Sequence, residues 1–220
     1  MIATRTRSGR TEDPELWKLL RAIATGDAPR ASRLLAASPR LASEASAVGA
    51  TRDSSTAYFF EETAHYVYAG DTALHVAAAA YRTDIATELV RFGADVSARN
   101  RRGAQPLHYA ADGQPASPTW DPKAQASIIA FLIRAGADPN ATDKNGVTPL
   151  HRAVRTRCAA AVHVLLAHGA DAERKNGSGS TPLHLALHNT GRGGSGSVAA
   201  HAQQEKIVRL LVEHGAQPGR

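Results

Sequence analysis

The sequence has few aromatic residues for its length. Its 220 residues include two Trp, five Tyr and four Phe, or 5% of the chain. Aromatic side chains usually supply much of the core of a compact domain, because each buries a large apolar area. The shortage argues against one deep, aromatic-rich core, so some other arrangement must bury the apolar 43% of the sequence.

Cysteine and long apolar runs are also scarce. The single Cys158 cannot form an intramolecular disulfide, which favours a reducing compartment and a cytoplasmic location. No apolar run approaches the roughly 18 residues of a membrane span, so we expect no membrane association. The first ten residues contain three Arg but no apolar stretch, which does not fit a secretory signal. We interpret residues 1–13 as a basic, flexible tail.

One tetrapeptide pattern recurs four times along the chain. Its copies are Thr72-Ala73-Leu74-His75, Gln105-Pro106-Leu107-His108, Thr148-Pro149-Leu150-His151 and Thr181-Pro182-Leu183-His184. A Gly-Ala pair follows each copy, at Gly93, Gly136, Gly169 and Gly215. The base period is 33 residues, with 10 extra residues inside the second copy and 13 inside the fourth. Such a period is typical of a repeat architecture.

Each repeat contains the signals for two helices. Thr before Pro suits a helix N-terminus, because the hydroxyl caps the helix and the proline ring fits its first turn. A second helix then carries apolar residues at helical spacing, as in Ile128–Ile133 and Ile207–Val212. The glycine of the Gly-Ala pair can adopt the left-handed conformation that ends a helix.

These residues resemble the ankyrin repeat family, which has the same period and a T-P-L-H-x-A motif. The resemblance implies an all-α repeat solenoid, a stack of about five helix-turn-helix repeats with hairpin-like finger loops. Flat layers of Ala, Leu, Ile and Val then replace an aromatic core. The family's usual glycine between the helices is replaced by Tyr81 and Arg157. We expect one array over residues 14–218, comprising a degenerate repeat at 14–39, an insertion at 40–69, and repeats at 70–102, 103–145, 146–178 and 179–218.

The resemblance also implies a concave binding face, formed by the finger loops and the exposed positions of the first helices. Cations dominate the finger positions, which hold Arg99, Arg101, Arg102, Lys144, Arg174 and Lys175. The exposed first-helix positions include Tyr109, Arg152 and Arg155. This pattern favours a protein partner with an acidic surface. The alternatives are an ordinary solvated surface and nucleic-acid binding by the basic row, which the modest net charge of +6 makes less favourable.

Two insertions carry aromatic residues that the repeats do not need. The 40–69 insertion contains five of them, at Tyr58, Phe59, Phe60, Tyr66 and Tyr68. They either pack on the first repeat as a lid or serve as anchors for a partner. Trp120 lies in the Pro-rich insertion Asp112–Pro122, as an exposed contact or as a plug against a neighbouring repeat.

No residue pattern indicates catalysis, a metal or a cofactor. In the family, histidines at the positions of His75, His108, His151 and His184 are structural, with rings bonded to loop backbone and to the Thr hydroxyl. The pair His184 and His188 has metal-ligand spacing but lacks further ligands. Residues Gly191–Gly196 match G-x-G-x-x-G without its strand context, which indicates a flexible loop.

Cys158 is interpreted as a partly buried structural residue, with a reactive thiol as the alternative. The sequence thus predicts a monomeric, non-catalytic protein-binding module. A cryptic enzyme using His188, Cys158 or the glycine-rich loop ranks last.

Overall fold

The structure is a computed structural model, which describes residues 13–113, 120–188 and 198–217. The chain forms two units, residues 1–106 and 107–220. Ten α-helices fall within the described residues and form five consecutive pairs, as the repeat pattern predicts.

Capping side chains and prolines set where the helices begin. Asp13 accepts hydrogen bonds from the backbone N–H groups of Glu15 and Leu16, and Pro14 follows as the first helical residue. Thr148 accepts from the N–H of His151, and Pro149 opens that helix in the same way. The expectation that Thr-Pro pairs start helices is therefore confirmed.

The first unit contains two helix pairs and the long insertion. Helices α1 and α2 span Pro14–Ala24 and Ala28–Ala37, and α3 and α4 span Ala73–Ala79 and Thr83–Arg91. Between the pairs lie 3-10 helices at Pro39–Ala42 and Thr56–Tyr58 and two short strands, β1 at Phe59–Phe60 and β2 at His65–Tyr66. The strands pair antiparallel, with Phe59 opposite Tyr66 and Phe60 opposite His65.

The second unit contains three helix pairs. Helices α5 and α6 span Pro106–Ala111 and Pro122–Arg134, α7 and α8 span Pro149–Arg155 and Ala159–Ala167, and α9 and α10 span Pro182–Leu187 and Val198–Glu213. Helix α5 thus begins at the boundary between the units. No helix in the described ranges is both long and apolar enough to cross a bilayer.

Successive pairs stack within each unit. In the first unit α1 packs on α3 and α2 on α4, and in the second α7 packs on α9 while α8 lies between α6 and α10. First helices thus meet first helices and second helices meet second helices, which is the arrangement of a repeat solenoid. Aliphatic side chains fill the layers between them, with full burial of Leu19, Leu74, Leu107, Ile128 and Leu165.

The turn inside a repeat requires one left-handed residue. Gly26 adopts φ of 78° between α1 and α2. Tyr81 and Arg157 occupy the same place in two later repeats and adopt φ of 56° and 58°. These side chains therefore accept a backbone conformation that glycine adopts more easily.

Candidate partner-binding site

Histidine side chains attach the finger loops to the helices. The Nδ1 atoms of His75 and His151 accept from the backbone N–H of Thr72 and Thr148, at 3.1 and 3.3 Å. Their Nε2 atoms then lie 3.2 Å from the Ala104 carbonyl oxygen and 3.1 Å from that of Ser180. The geometry fixes a neutral ring with the proton on Nε2.

His108 makes the corresponding Nε2 contact with the Val147 carbonyl, at 3.0 Å. Burial, reinforced by the nearby Arg152 charge, lowers the pKa of His108 from 6.5 to about 4. The structural role predicted for these three histidines is confirmed.

His184 departs from this pattern. Its ring is exposed and lies against His188, with ring centroids 4.1 Å apart. The role predicted for His184, a ring bonded to loop backbone and to the Thr hydroxyl, is therefore not found among the described residues, where this ring is exposed. Within the described ranges no group of three or more His, Cys, Asp or Glu side chains could hold a metal ion.

The finger loops share a turn that sequence reasoning missed. In each, a side-chain Oδ1 accepts from the backbone N–H two and four residues later. Asn100 accepts from Arg102 and Ala104, Asp143 from Asn145 and Val147, and Asn176 from Ser178 and Ser180. The sequence carries one signal for this turn. Asn100, Asp143 and Asn176 are separated by 43 and 33 residues, which are also the separations of the last three motif histidines.

The insertion folds back so that its aromatic side chains divide into two sets. Tyr58 and Phe60 are 7% and 4% exposed and pack against Trp17 of α1, with centroid separations of 5.6 and 6.0 Å. Tyr58 and Phe60 thus take the lid position, the alternative to anchoring a partner, because their rings cover the first helix. Phe59, Tyr66 and Tyr68 face outward instead, with Tyr66 38% exposed.

The outward aromatic side chains form a row. The Phe59 and Tyr66 centroids are 4.8 Å apart, and those of Tyr66 and Tyr68 are 6.4 Å apart. Such separations allow favourable ring contacts. The row ends at Tyr68, next to the finger loop that follows α4.

Close backbone packing brings that finger loop against the insertion. Gly70 has φ of 90°, and a Cβ there would lie 2.7 Å from the Cα of Asn100. Arg101 donates its backbone N–H to the Ala69 carbonyl at 2.7 Å, and the Asn100 amide donates to the Asp71 carboxylate at 2.8 Å. Only glycine allows both the close approach and this backbone conformation.

Two arginines of the finger loop consequently flank Tyr68. The guanidinium carbon of Arg101 lies 5.3 Å from the Tyr68 ring centroid, and that of Arg102 lies 5.0 Å away. Arg102 Nη1 also donates to the Tyr68 hydroxyl at 2.9 Å, and Arg101 Nη2 donates to the Ala50 carbonyl. Cation–π contacts and hydrogen bonds thus hold both side chains in place.

These residues border an open cavity of about 220 Å³, which we call the arginine–tyrosine pocket. Its lining is Ala50, Thr51, Arg52, Ser55, Tyr66, Tyr68, Arg101 and Arg102. The lining contains three cations and no carboxylate. In the described part of the chain, the salt bridges between charged side chains engage other cations, namely Lys18, Arg40, Arg82 and Arg152. The pocket is therefore an uncompensated positive site.

Two predicted contacts on the first helices of the second unit are not exposed. Arg152 pairs with Asp112 at 2.8 Å and Asp143 at 3.4 Å, and its side chain is only 11% exposed. Tyr109 lies beside the Arg152 guanidinium and is 4% exposed. The predicted exposure of both side chains is wrong, because Arg152 pairs with two carboxylates and Tyr109 is buried beside it.

The remaining predicted residues lie at or near the surface. Lys144, Arg155, Arg174, Lys175 and Arg99 are exposed. Arg99 donates to the Gly103 carbonyl at 3.1 Å within its own finger loop. Their role as partner contacts stays a prediction.

Trp120 was predicted to be either an exposed contact or a plug against a neighbouring repeat, and its role as a partner contact stays a prediction. It is half-buried, and its indole N–H donates to Gln125 at 3.1 Å. Gln125 in turn donates to the Ala110 carbonyl at 3.0 Å. This chain of bonds fixes Trp120 to its own helix pair.

Cys158 is fully buried between α7 and α8. Burial raises the pKa of its thiol to about 12, so the thiolate form is disfavoured. The structure thus supports the structural interpretation over a reactive thiol. The glycine-rich stretch Gly191–Gly196 lies outside the described residues.

Comparison with known families matches a model described as "Ankyrin repeats (3 copies)" to residues 21–117 and 123–220. These two ranges cover most of the chain. No curated protein gives a significant match.

Proposed function

Because this chain belongs to the ankyrin repeat family, whose repeats are generally protein–protein interaction modules, we propose that it is a non-catalytic module that binds a protein partner through the arginine–tyrosine pocket. The outward aromatic row, Phe59, Tyr66 and Tyr68, extends the contact surface along one side of the pocket. The exposed cations of the second unit remain predicted additional contacts.

The observation that carries this proposal is the meeting of two sequence features that the repeats do not require. The basic finger loop and the aromatic insertion are 33 residues apart at Tyr68 and Arg101, yet they form one pocket. Arginine and tyrosine are enriched among the residues that dominate binding energy at protein interfaces. Three exposed cations that form no salt bridge with the described residues favour a partner surface that is acidic.

Fixed side chains make such a pocket an efficient binding site. Arg101 and Arg102 already contact Tyr68 and Ala50 in the free protein. Ordering a long side chain on binding costs about 0.5–1.5 kcal/mol, and this cost is reduced when the side chain is held beforehand.

Affinity capture from extract of the source cells tests the proposal. The bait is the full chain, either unchanged or with Arg99, Arg101 and Arg102 all replaced by Ala. A matched triple variant, Lys144→Ala, Arg174→Ala and Lys175→Ala, removes the same charge from the other finger loops. We expect a captured protein to be lost with the first variant and retained with the second.

Circular dichroism shows whether both variants remain folded. Equal capture by the unchanged chain and the first variant would contradict a role for the pocket. Loss with the second variant alone would place the binding surface in the second unit.

A further inference from the structure

The lining of the arginine–tyrosine pocket is rich in side chains that can donate hydrogen bonds to an oxyanion. Arg52, Arg101 and Arg102 supply guanidinium groups to one cavity of about 220 Å³. Thr51 and Ser55 line the same cavity, and both residue types carry a hydroxyl group that can donate a hydrogen bond. Guanidinium groups bind oxyanions with two parallel N–H donors, which is the strongest recognition that protein side chains offer them.

The number of cations distinguishes between the possible anions. A carboxylate or a phosphodiester carries one negative charge, for which one arginine suffices. A phosphate monoester carries between 1.5 and 2 negative charges near pH 7 and presents three acceptor oxygens. Three guanidinium groups around one small cavity match the monoester better than either of the singly charged groups.

The shape of the site also favours a single side chain over a polymer backbone. The three cations line one cavity, whereas a nucleic-acid backbone requires positive charges spaced along an extended track. Tyr66, 38% exposed, forms part of the lining and offers an aromatic surface to the segment that carries the anion. This arrangement is that of a receptor for one modified residue.

We propose that the arginine–tyrosine pocket binds a phosphate monoester on the partner, the side chain of a phosphorylated residue in a protein. The inference rests on the proposed function, since it names the chemical group that the pocket recognises. Phosphorylation of the partner then controls binding, because the unmodified hydroxyl lacks the charge that the three arginines require.

Titration of the full chain with small probes tests the chemistry directly. The probes are O-phospho-L-serine, O-phospho-L-tyrosine, inorganic phosphate, L-glutamate and a short oligo(dT) strand. Calorimetry gives the affinities, and shifts of the arginine Nε–H resonances locate the probe. We expect at least one phosphoamino acid to bind about tenfold or more tightly than glutamate, and the tighter of the two identifies the phosphorylated residue type.

Matched variants locate the site. Arg101→Gln or Arg102→Gln should each weaken phosphoamino-acid binding about tenfold, because each removes a charge-assisted hydrogen-bond donor. Arg91→Gln is the control, since Arg91 is an exposed arginine in the last turn of α4 that does not line the pocket. Its affinity should equal that of the unchanged chain.

The pH dependence adds a second readout. The monoester loses its second charge as the pH falls through about 6, so binding of the phosphoamino acid should weaken between pH 7.5 and 5.5 while that of glutamate does not. Equal affinities for glutamate and both phosphoamino acids, or no effect of the two arginine variants, would overturn the proposal. Tighter, arginine-dependent binding of oligo(dT) would overturn it in favour of nucleic acid.

Capture from phosphatase-treated extract separates this inference from the proposed function. We expect the protein retained by the unchanged chain, and lost with the triple Arg→Ala variant, to be lost after phosphatase treatment as well. If that protein is still retained in an arginine-dependent way, the binding function stands and the phosphate inference fails. If no captured protein depends on the arginines, the proposed function fails, whatever the small probes show.

Discussion

Acid should destabilise the protein through His108, and the size of the effect can be worked out from the structure. His108 is buried, and its ring donates to the Val147 carbonyl at 3.0 Å. Burial is the main reason that its pKa falls from 6.5 to about 4, and the charge of Arg152 adds to the effect. A second proton on this ring would place a cation in a buried position beside another cation.

The direction of the effect follows from where the protons bind. In the unfolded chain His108 takes up a proton as the pH falls through 6.5, whereas in the folded chain it does so near 4. The unfolded state therefore binds more protons in this window, and the free energy of unfolding falls as the pH is lowered from 6.5 to 4. With 1.36 kcal/mol per pH unit, the loss from this one residue is about 2 kcal/mol at pH 5 and about 3 kcal/mol well below pH 4.

Urea unfolding at pH 7.5 and pH 5.0, followed by circular dichroism, measures this loss. The variant His108→Gln keeps an N–H donor for Val147 but cannot titrate, so its stability should fall by about 2 kcal/mol less than that of the unchanged chain. His163→Gln, which changes an exposed histidine, is the control and should behave like the unchanged chain. An equal acid-induced loss in the unchanged chain and in His108→Gln would refute the reasoning.

Three further predictions concern local packing. Arg157→Gly should be about 1 kcal/mol more stable than Arg157→Ala in urea unfolding, since φ of 58° disfavours any residue with a Cβ; equal stabilities would contradict this. Gly113→Ala should cost about 1–3 kcal/mol, because the new methyl group would clash with the sulfur of Cys158. In a Cys158→Ala background the cost should largely disappear, and a cost that persists there would contradict the clash. Asn100→Ala should destabilise the protein by about 2 kcal/mol and weaken partner capture. The substitution removes the hydrogen bond from the Asn100 side-chain amide to the Asp71 carboxylate, and it removes the side-chain oxygen that accepts two backbone hydrogen bonds in the finger turn. Unchanged capture would show that the turn does not position the pocket.

The regular part of the fold could be predicted from the sequence because its signals are local and repeated. A Thr-Pro start, an apolar helix and a glycine end recur with one period, so each copy supports the interpretation of the others. The histidine of the motif bonds to a loop at a fixed distance along the chain, which is why its role carried over to His75, His108 and His151.

The partner-binding site could be predicted only in part, because insertions do not follow the period. Arg101 and Tyr68 were each identified as candidate contacts, but their meeting depends on the close approach at Gly70, which no periodic rule describes. The burial of Tyr58 and Phe60 was also not predictable, because it depends on which side of the short β1–β2 hairpin faces Trp17.

The fate of individual charges also depends on distant partners. Arg152 was predicted to be exposed from its place on a first helix. Its partner Asp112 lies 40 residues earlier, at the start of an insertion, and pairing at that separation is set by tertiary structure. The position of the His184 ring could not be predicted either. His184 keeps the sequence motif, but its ring lies against His188 at the surface.

Site-specific photo-crosslinking tests the central claim, that the partner binds at the arginine–tyrosine pocket, most directly. A photoreactive phenylalanine analogue replaces either Tyr66, which lines the pocket and is 38% exposed, or Phe92, which follows α4 as its C-cap and is 39% exposed. The two positions carry aromatic side chains of equal accessibility in the same unit. Our account predicts a covalent adduct with one captured protein from position 66 and none from position 92; an adduct from position 92 without one from position 66 would contradict it.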